Sequence, residues 1–189
     1  MNFEQFKQDA LRTESRPTEL GLSKVAIHNA LNAISNFTEL ADIVKKSVFY
    51  GKPINHTVVS QFVLNTSAFM HFMQATMHHE QHAKVYEDSL SDPNMRILHG
   101  ALGMFTEAGE MLQAVLRQME TGELDLVNMV EETGDSDWYK AIIHDETGVS
   151  ENTVREKVIA KLKARYGDKF TAEAAINRDL VAERKVLEA

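Results

Sequence analysis

The chain has 189 residues and a formal net charge of −8. This length is enough for one domain with a sizeable core, and a composition of 43% hydrophobic and 25% charged residues is typical of a globular protein. The acidic balance argues against non-specific nucleic-acid binding, and the absence of cysteine excludes disulfides, thiolate catalysis and cysteine zinc sites.

Apolar residues with a helical period fill nearly all of the chain, and strand patterns are almost absent. Proline- and glycine-containing breaks separate the helical segments at RPTELG, YGKPIN, SDPN and TGELD. The predicted helices span 2–14, 24–49, 56–89, 94–120, 125–146, 151–166 and 171–188. The residues placed to act as N-caps are Ser23, Asn55, Asp92, Asp125, Ser150 and Thr171. The pattern therefore predicts an all-α helical bundle, with residues 1–189 forming a single domain.

Nothing in the sequence predicts a secreted or membrane protein. The first 17 residues lack an apolar signal core, and no apolar run approaches the ~18 residues of a membrane span. We therefore expect a cytoplasmic protein with no nucleic-acid or membrane partner.

Two stretches of the chain resemble each other. Residues 27–51 and 98–122 align with a constant offset of 71, and six positions are identical. These pairs are His28/His99, Ala30/Ala101, Leu31/Leu102, Glu39/Glu110, Val44/Val115 and Gly51/Gly122. Chance likeness between two amphipathic helices is one explanation. An internal duplication is the other, and it predicts a first repeat at 1–90 and a second at 91–189.

Two pairs of acidic residues have the spacing of a metal site. Glu107 and Glu110 form an ExxE pattern, and Glu132 and Asp135 form an ExxD pattern 22 positions further on. Residues three apart on a helix point to one side, about 60° from each other. The segment between the pairs is long enough to finish one helix and return antiparallel. Four facing carboxylates would bind a hard divalent cation such as Mg²⁺, and Gly134 would permit a close approach of the helices.

A solvated face is the alternative explanation for these acids. Glu107 and Glu110 lie roughly opposite an apolar stripe on their helix, and Glu120 and Glu123 repeat the ExxE spacing by chance. The stripe consists of Leu98, Ala101, Phe105, Ala108, Leu112 and Met119. Gly100 and Gly103 favour close packing on the acidic side, so the spacing alone leaves both explanations open.

The order of motifs resembles that of the MazG-like nucleoside triphosphate pyrophosphohydrolases, members of the all-α NTP pyrophosphatase superfamily. The stretches that carry the resemblance are LHGALGMFTEAGEML, MVEETGDSDWY and VIAKLKARYGDKFTAEAAINRDLVAERKVLE, within 97–188. The segment HNALNAISNFTELADIVKKSVFYGKPIN is similar to the same unit, with Asn36 in place of the first glutamate. The resemblance thus implies a bundle built from two MazG-like helical repeats, the first of them degenerate.

The resemblance also implies roles for particular residues. Glu107, Glu110, Glu132 and Asp135 would be the catalytic, Mg²⁺-binding residues, with Mn²⁺ as an alternative ion. The residues implied to bind substrate are Lys161, Arg165, Tyr166, Lys45, Lys46 and His99. His99 and Trp138 are the candidates for the pocket that holds the nucleobase. One departure concerns Val158, which stands where the family usually has asparagine.

The implied reaction is hydrolysis of a (deoxy)nucleoside triphosphate to the monophosphate and pyrophosphate, in a protein for which a homodimer is one arrangement. A dUTPase-like hydrolase with the same chemistry is an alternative. Another is a helical interaction protein that lacks this activity. A third is a transition-metal protein that uses His71, His78 and His82, which share one helical face.

Overall fold

The computed structural model describes residues 2–17, 22–78 and 87–189, without the side chains of 68–78. Within these ranges the chain forms helices and turns and no strand, so the predicted all-α class is confirmed. The helices are α1 (Phe3–Ala10), α2 (Lys24–Tyr50), α3 (His56–His78), α4 (Met95–Thr121), α5 (Leu126–Thr147), α6 (Glu151–Tyr166), α7 (Ala172–Ile176) and α8 (Leu180–Glu188). A short 3₁₀ turn, Leu11–Thr13, follows α1.

Contacts divide the chain into two compact units. The first unit contains Met1–Thr18 and Pro93–Arg155, and the second contains Glu19–Asp92 and Glu156–Ala189. This division does not follow the predicted repeat boundary at residue 90. The two-repeat organisation stays a prediction.

Most of the predicted helix starts carry the expected cap. Ser23, Asp125 and Thr171 accept hydrogen bonds from backbone N–H groups in the first turns of α2, α5 and α7. The prediction of Asp92 as a cap was wrong. Asn94 caps α4 instead, because its side chain accepts from the N–H groups of Arg96 and Ile97.

The predicted helix 171–188 is in fact two helices. Asn177 leaves helical geometry with φ −99° and ψ 69°. Asp179 then accepts from the N–H groups of Val181 and Ala182, so a second helix begins there. The predicted helix 56–89 falls partly on residues 79–86, which lie outside the described residues.

In the first unit, α4 and α5 pack through glycine. A Cβ atom at Gly100 would lie 2.6 Å from Ile143, and one at Gly103 would lie 2.1 Å from the Tyr139 ring. The predicted close packing at Gly100 and Gly103 is therefore present. The expected approach at Gly134 was wrong, because Gly134 is exposed and a Cβ there would meet nothing within 4 Å.

This packing turns Glu107 of α4 inward and leaves most of the helix's apolar stripe exposed. Glu107 is 8% exposed, whereas Leu112 is 61% and Met119 80% exposed. The solvated-face explanation is thus wrong for Glu107, since the side chain points toward α5 and not toward water.

The second unit contains its own helical contacts. Phe37 of α2 and Phe62 of α3 meet edge to face with centroids 5.7 Å apart. Glu183 of α8 is buried and paired with both Arg165 and Arg178.

Within the described ranges, no helix combines the length and apolar character needed to cross a membrane.

Candidate metal centre

Helices α4 and α5 bring three carboxylates together in the first unit. One carboxylate oxygen from each of Glu107, Glu132 and Asp135 lies within 4.8 Å of the others. Glu107 and Glu132 are buried, at 8% and 4% exposure, and Asp135 is exposed. The exposed fourth acid, Glu110, lies within hydrogen-bonding reach of Glu132. The cluster is therefore closed on its inner side and open on the side of Glu110 and Asp135.

The local fold explains why these side chains meet. Asp125 caps α5 and fixes where the helix begins, which places Glu132 and Asp135 on consecutive turns. The glycine contacts at positions 100 and 103 bring the α4 backbone close to α5 one to two turns before Glu107. The carboxylates consequently converge across the helical hairpin instead of pointing to solvent.

The carboxylates of the cluster carry like charges and repel one another. The pKa of Glu132 is raised, first by its hydrogen-bonding contact with Glu107 and then by burial and the negative charge of Glu107. Hydrogen bonds with Asn128 and Glu110 lower the pKa of Glu132 and so offset part of this rise. Without a cation, the contact with Glu107 therefore favours the protonated form of Glu132.

Two polar side chains that the sequence did not point to support the buried acids. The Asn128 amide donates to Glu132 Oε1 at 2.5 Å. The Thr106 hydroxyl lies 3.1 Å from Glu107 Oε1 and 2.8 Å from the Gly103 carbonyl oxygen, its shorter acceptor. Asn128 precedes Glu132 by four residues and so shares its helical face, which is the one signal that could have identified it. Such outer contacts fix the orientation of metal-binding carboxylates.

Tyr139 is a third neighbour that sequence reasoning missed. It lies one turn after Asp135, and its ring occupies the space left by the missing side chain of Gly103. The pKa of the Tyr139 phenol is raised by burial and by the negative charges of Glu107, Asp135 and Glu110. The phenol is therefore within electrostatic range of the cluster.

His99 and Trp138, the predicted neighbours of the base, lie next to Tyr139. The His99 ring is 5.7 Å from Trp138 and 5.6 Å from Tyr139, centroid to centroid, in edge-to-face geometry. His99 also lines a cavity of about 330 Å³ together with Arg16, Met95, Leu98 and Leu102, among others. Trp138 is half-buried, and its indole N–H is hydrogen-bonded to residues of the N-terminal segment.

The donor set fits a hard divalent cation. The cluster presents carboxylate oxygens, with an amide beside them and no nitrogen or sulfur ligand among its members. Mg²⁺ and Ca²⁺ prefer oxygen ligands of this type. A divalent cation would also relieve the repulsion that raises the pKa of Glu132.

The remaining predicted substrate-binding residues belong to the second unit. Lys45 and Lys46 both pair with Asp42, at 2.6 and 2.5 Å. Arg165 donates to both carboxylate oxygens of Glu183, and Tyr166 contacts the Phe170 ring. Lys161 is half-buried on α6. Their roles toward a triphosphate stay predictions.

The transition-metal alternative falls largely on residues that are not described. Residue 82 and the side chains of His71 and His78 lie outside the described part of the chain. That alternative stays a prediction.

The fold and the cluster together define an all-α protein with a buried carboxylate site able to hold a metal ion. No family model matches the chain, and no curated protein or solved structure matches it either. The MazG-like assignment is therefore a proposal that depends on the motifs and on the site.

Proposed function

We propose that this protein hydrolyses (deoxy)nucleoside triphosphates to the monophosphate and pyrophosphate, with Mg²⁺ held by Glu107, Glu110, Glu132 and Asp135. The observation that carries the proposal is the burial of Glu107 and Glu132 against each other with Asp135 alongside. Burying like charges in this way is costly unless a cation or a proton compensates them. A metal site is the functional explanation for keeping both glutamates.

The motif order supports the reaction type. ExxE and ExxD carry the four acids, and the KL..RY and NRD…E patterns follow them in the order that the resemblance implies. When bound, Mg²⁺ would supply Lewis acidity to the phosphoryl oxygens and lower the pKa of a water.

The chain's own residues would do the rest. The buried pair Glu107 and Glu132 would hold the cation in a fixed position, because Asn128 orients the Glu132 carboxylate and the Thr106 hydroxyl lies beside that of Glu107. Glu110, which lies at the open side, would accept the proton of the attacking water. The cavity beside His99 is the place in this unit that we assign to the base.

Product analysis by ³¹P NMR over the eight common nucleoside triphosphates tests the proposal. We expect the monophosphate and pyrophosphate to appear only with Mg²⁺ or Mn²⁺, for at least one substrate. Glu110→Gln and Asp135→Asn should abolish turnover while the fold persists. Glu120→Gln is the matched control, since Glu120 has the same ExxE spacing with Glu123 and lies on the exposed end of α4.

Three results would contradict the proposal. They are release of single orthophosphate, full activity in EDTA, and activity within about tenfold of wild type in both acid variants.

A further inference from the structure

The N-terminal segment, residues 2–17, is tied to the α4–α5 hairpin by a buried carboxylate. The Glu14 side chain is 1% exposed and accepts from Arg96 Nε at 2.7 Å and from Arg96 Nη2 at 2.8 Å. Arg96 also pairs with Asp145 and Glu146, near the end of α5, at 2.8 and 3.0 Å. Bidentate arginine–carboxylate pairs fix the relative orientation of the two side chains, so the N-terminal segment has one defined position on the hairpin.

A second link runs through Trp138. Its indole Nε1 donates to the Ala10 carbonyl and to the Thr13 hydroxyl, both at 3.0 Å. The N-terminal segment therefore holds the indole ring in one orientation. The chain's sole tryptophan is thus joined to a segment more than 120 residues away in sequence.

The indole in turn borders the Tyr139 ring, which lies over Gly103. Trp138 and Tyr139 meet at 4.9 Å with an interplanar angle of 90°, and His99 lies edge-on to both. Tyr139 lies over Gly103, one turn from Glu107 on α4, and is itself one turn from Asp135 on α5. Contacts therefore run without a gap from Thr13 through Trp138 to Tyr139.

We propose that the N-terminal segment contributes to the function of the carboxylate cluster. In this proposal Trp138 is a positioning residue that acts through Tyr139. The inference rests on the proposed function of the carboxylate cluster. Once the indole anchor is lost, Tyr139 gains freedom to leave the space over Gly103. The carboxylates keep their places, because α4 and α5 position them directly.

A double-mutant cycle tests the link to turnover in the full-length chain. Trp138→Phe removes the N–H donor and keeps an aromatic ring, and Tyr139→Phe removes the phenol hydroxyl. We expect each single variant to lower kcat about tenfold, with KM and Mn²⁺ affinity changed less than about threefold. The double variant should be no slower than Tyr139→Phe alone, because the two residues act in series.

A readout that needs no activity tests the link itself. The protein is labelled with fluorotyrosine, and Tyr139→Phe assigns the ¹⁹F resonance of position 139 among the four tyrosines. Thr13→Val removes one acceptor of the indole N–H and should shift or broaden that resonance. Thr121→Val is the matched control, because among the described residues the Thr121 hydroxyl bonds to Arg117 and Glu123, at the end of its own helix.

The two readouts separate failure of this inference from failure of the proposed function. Wild-type protein that hydrolyses no nucleotide would refute the proposed function, and the ¹⁹F experiment would still decide the inference. An unchanged Tyr139 resonance in Thr13→Val overturns the inference, as does full additivity of the kcat losses. Should Trp138→Phe fail to fold, Thr13→Val takes its place in the cycle with the same criterion.

Discussion

Gly103 of α4 and Tyr139 of α5 lie so close that a methyl group on residue 103 would be 2.1 Å from the Tyr139 ring. No real Cβ contact is that short, so the two helices approach at a separation that only glycine permits. Glu107 and Asp135 each lie one turn from this contact, on opposite helices. The glycine therefore sets the spacing at which the carboxylates of the two helices meet.

Replacing this glycine should unfold or loosen the site. Gly103→Ala is expected to destabilise the protein by about 1–3 kcal/mol, as overpacking of a core does, because the Tyr139 ring must move. Gly109→Ala is the matched control on the same helix, since a Cβ at Gly109 meets nothing within 4 Å. The control should stabilise the protein by about 0.5–1 kcal/mol through better helix propensity. Urea unfolding of both variants checks this, and equal shifts in the same direction would contradict it.

The raised pKa of Glu132 predicts how stability depends on pH in the metal-free protein. Its unfolded pKa is near 4.5 and its folded pKa is higher, so the folded state binds the proton more tightly. This contribution to stability is complete below about pH 4.5 and is lost as the pH rises through the folded pKa. In EDTA, Glu132→Gln should match wild type near pH 4, below the unfolded pKa, and show a higher Tm at pH 8.

Magnesium should reverse that order. We expect Mg²⁺ to bind the folded wild type far better than the variant, and therefore to raise the Tm of wild type more than that of the variant. Thermal melts at pH 8 with and without Mg²⁺ measure both effects. A variant that melts below wild type in EDTA would contradict the repulsion between Glu107 and Glu132.

The buried Glu183 predicts the opposite pH dependence in the second unit. Hydrogen bonds from Arg178 and Arg165 lower its pKa to about 2. Its contribution to stability is therefore present above the unfolded pKa of about 4.5 and is lost as the pH falls toward 2. Glu183→Gln should lower the Tm at pH 7 by several degrees and lose less stability than wild type between pH 4.5 and pH 2.

The control for this prediction is Glu188→Gln. Glu188 pairs with Arg184 four residues away, and both side chains are more than half exposed. Exposed pairs of this kind contribute little, so the control should melt like wild type. An equal loss of Tm in the two variants would show that the buried pair stabilises the protein no more than the exposed pair.

Much of the helical layout followed from local chemistry. The periods, caps and breaks predicted the bounds of α2, α4, α5 and α6 to within one residue, because Ser23, Asp125 and the breaks that contain Gly51 and Gly122 act within a single turn. The break at Asn177 was missed, since Asp179 reads equally well as a residue within a helix. Its capping role depends on the backbone turn before it.

The acidic residues of the candidate site could be predicted from the sequence, but the side chains that surround them could not. The spacing of Glu107, Glu132 and Asp135 predicted that they share a side of each helix, which local geometry decides. The roles of Asn128, Thr106 and Tyr139 depend on which faces of α4 and α5 meet. That choice reversed the usual rule, because α4 buries Gly100, Gly103 and Glu107 and exposes most of its apolar stripe.

Binding of Mn²⁺ followed by electron paramagnetic resonance tests the central claim most directly, because free and bound ions give different signals. Wild type should bind Mn²⁺ saturably, and Glu107→Gln and Glu132→Gln should each weaken binding by at least about tenfold. Glu120→Gln, which alters the exposed acid pair at the end of the same helix, should bind like wild type. Absence of saturable binding in wild type, or equal weakening by all three substitutions, would contradict a metal site built by Glu107, Glu132 and Asp135.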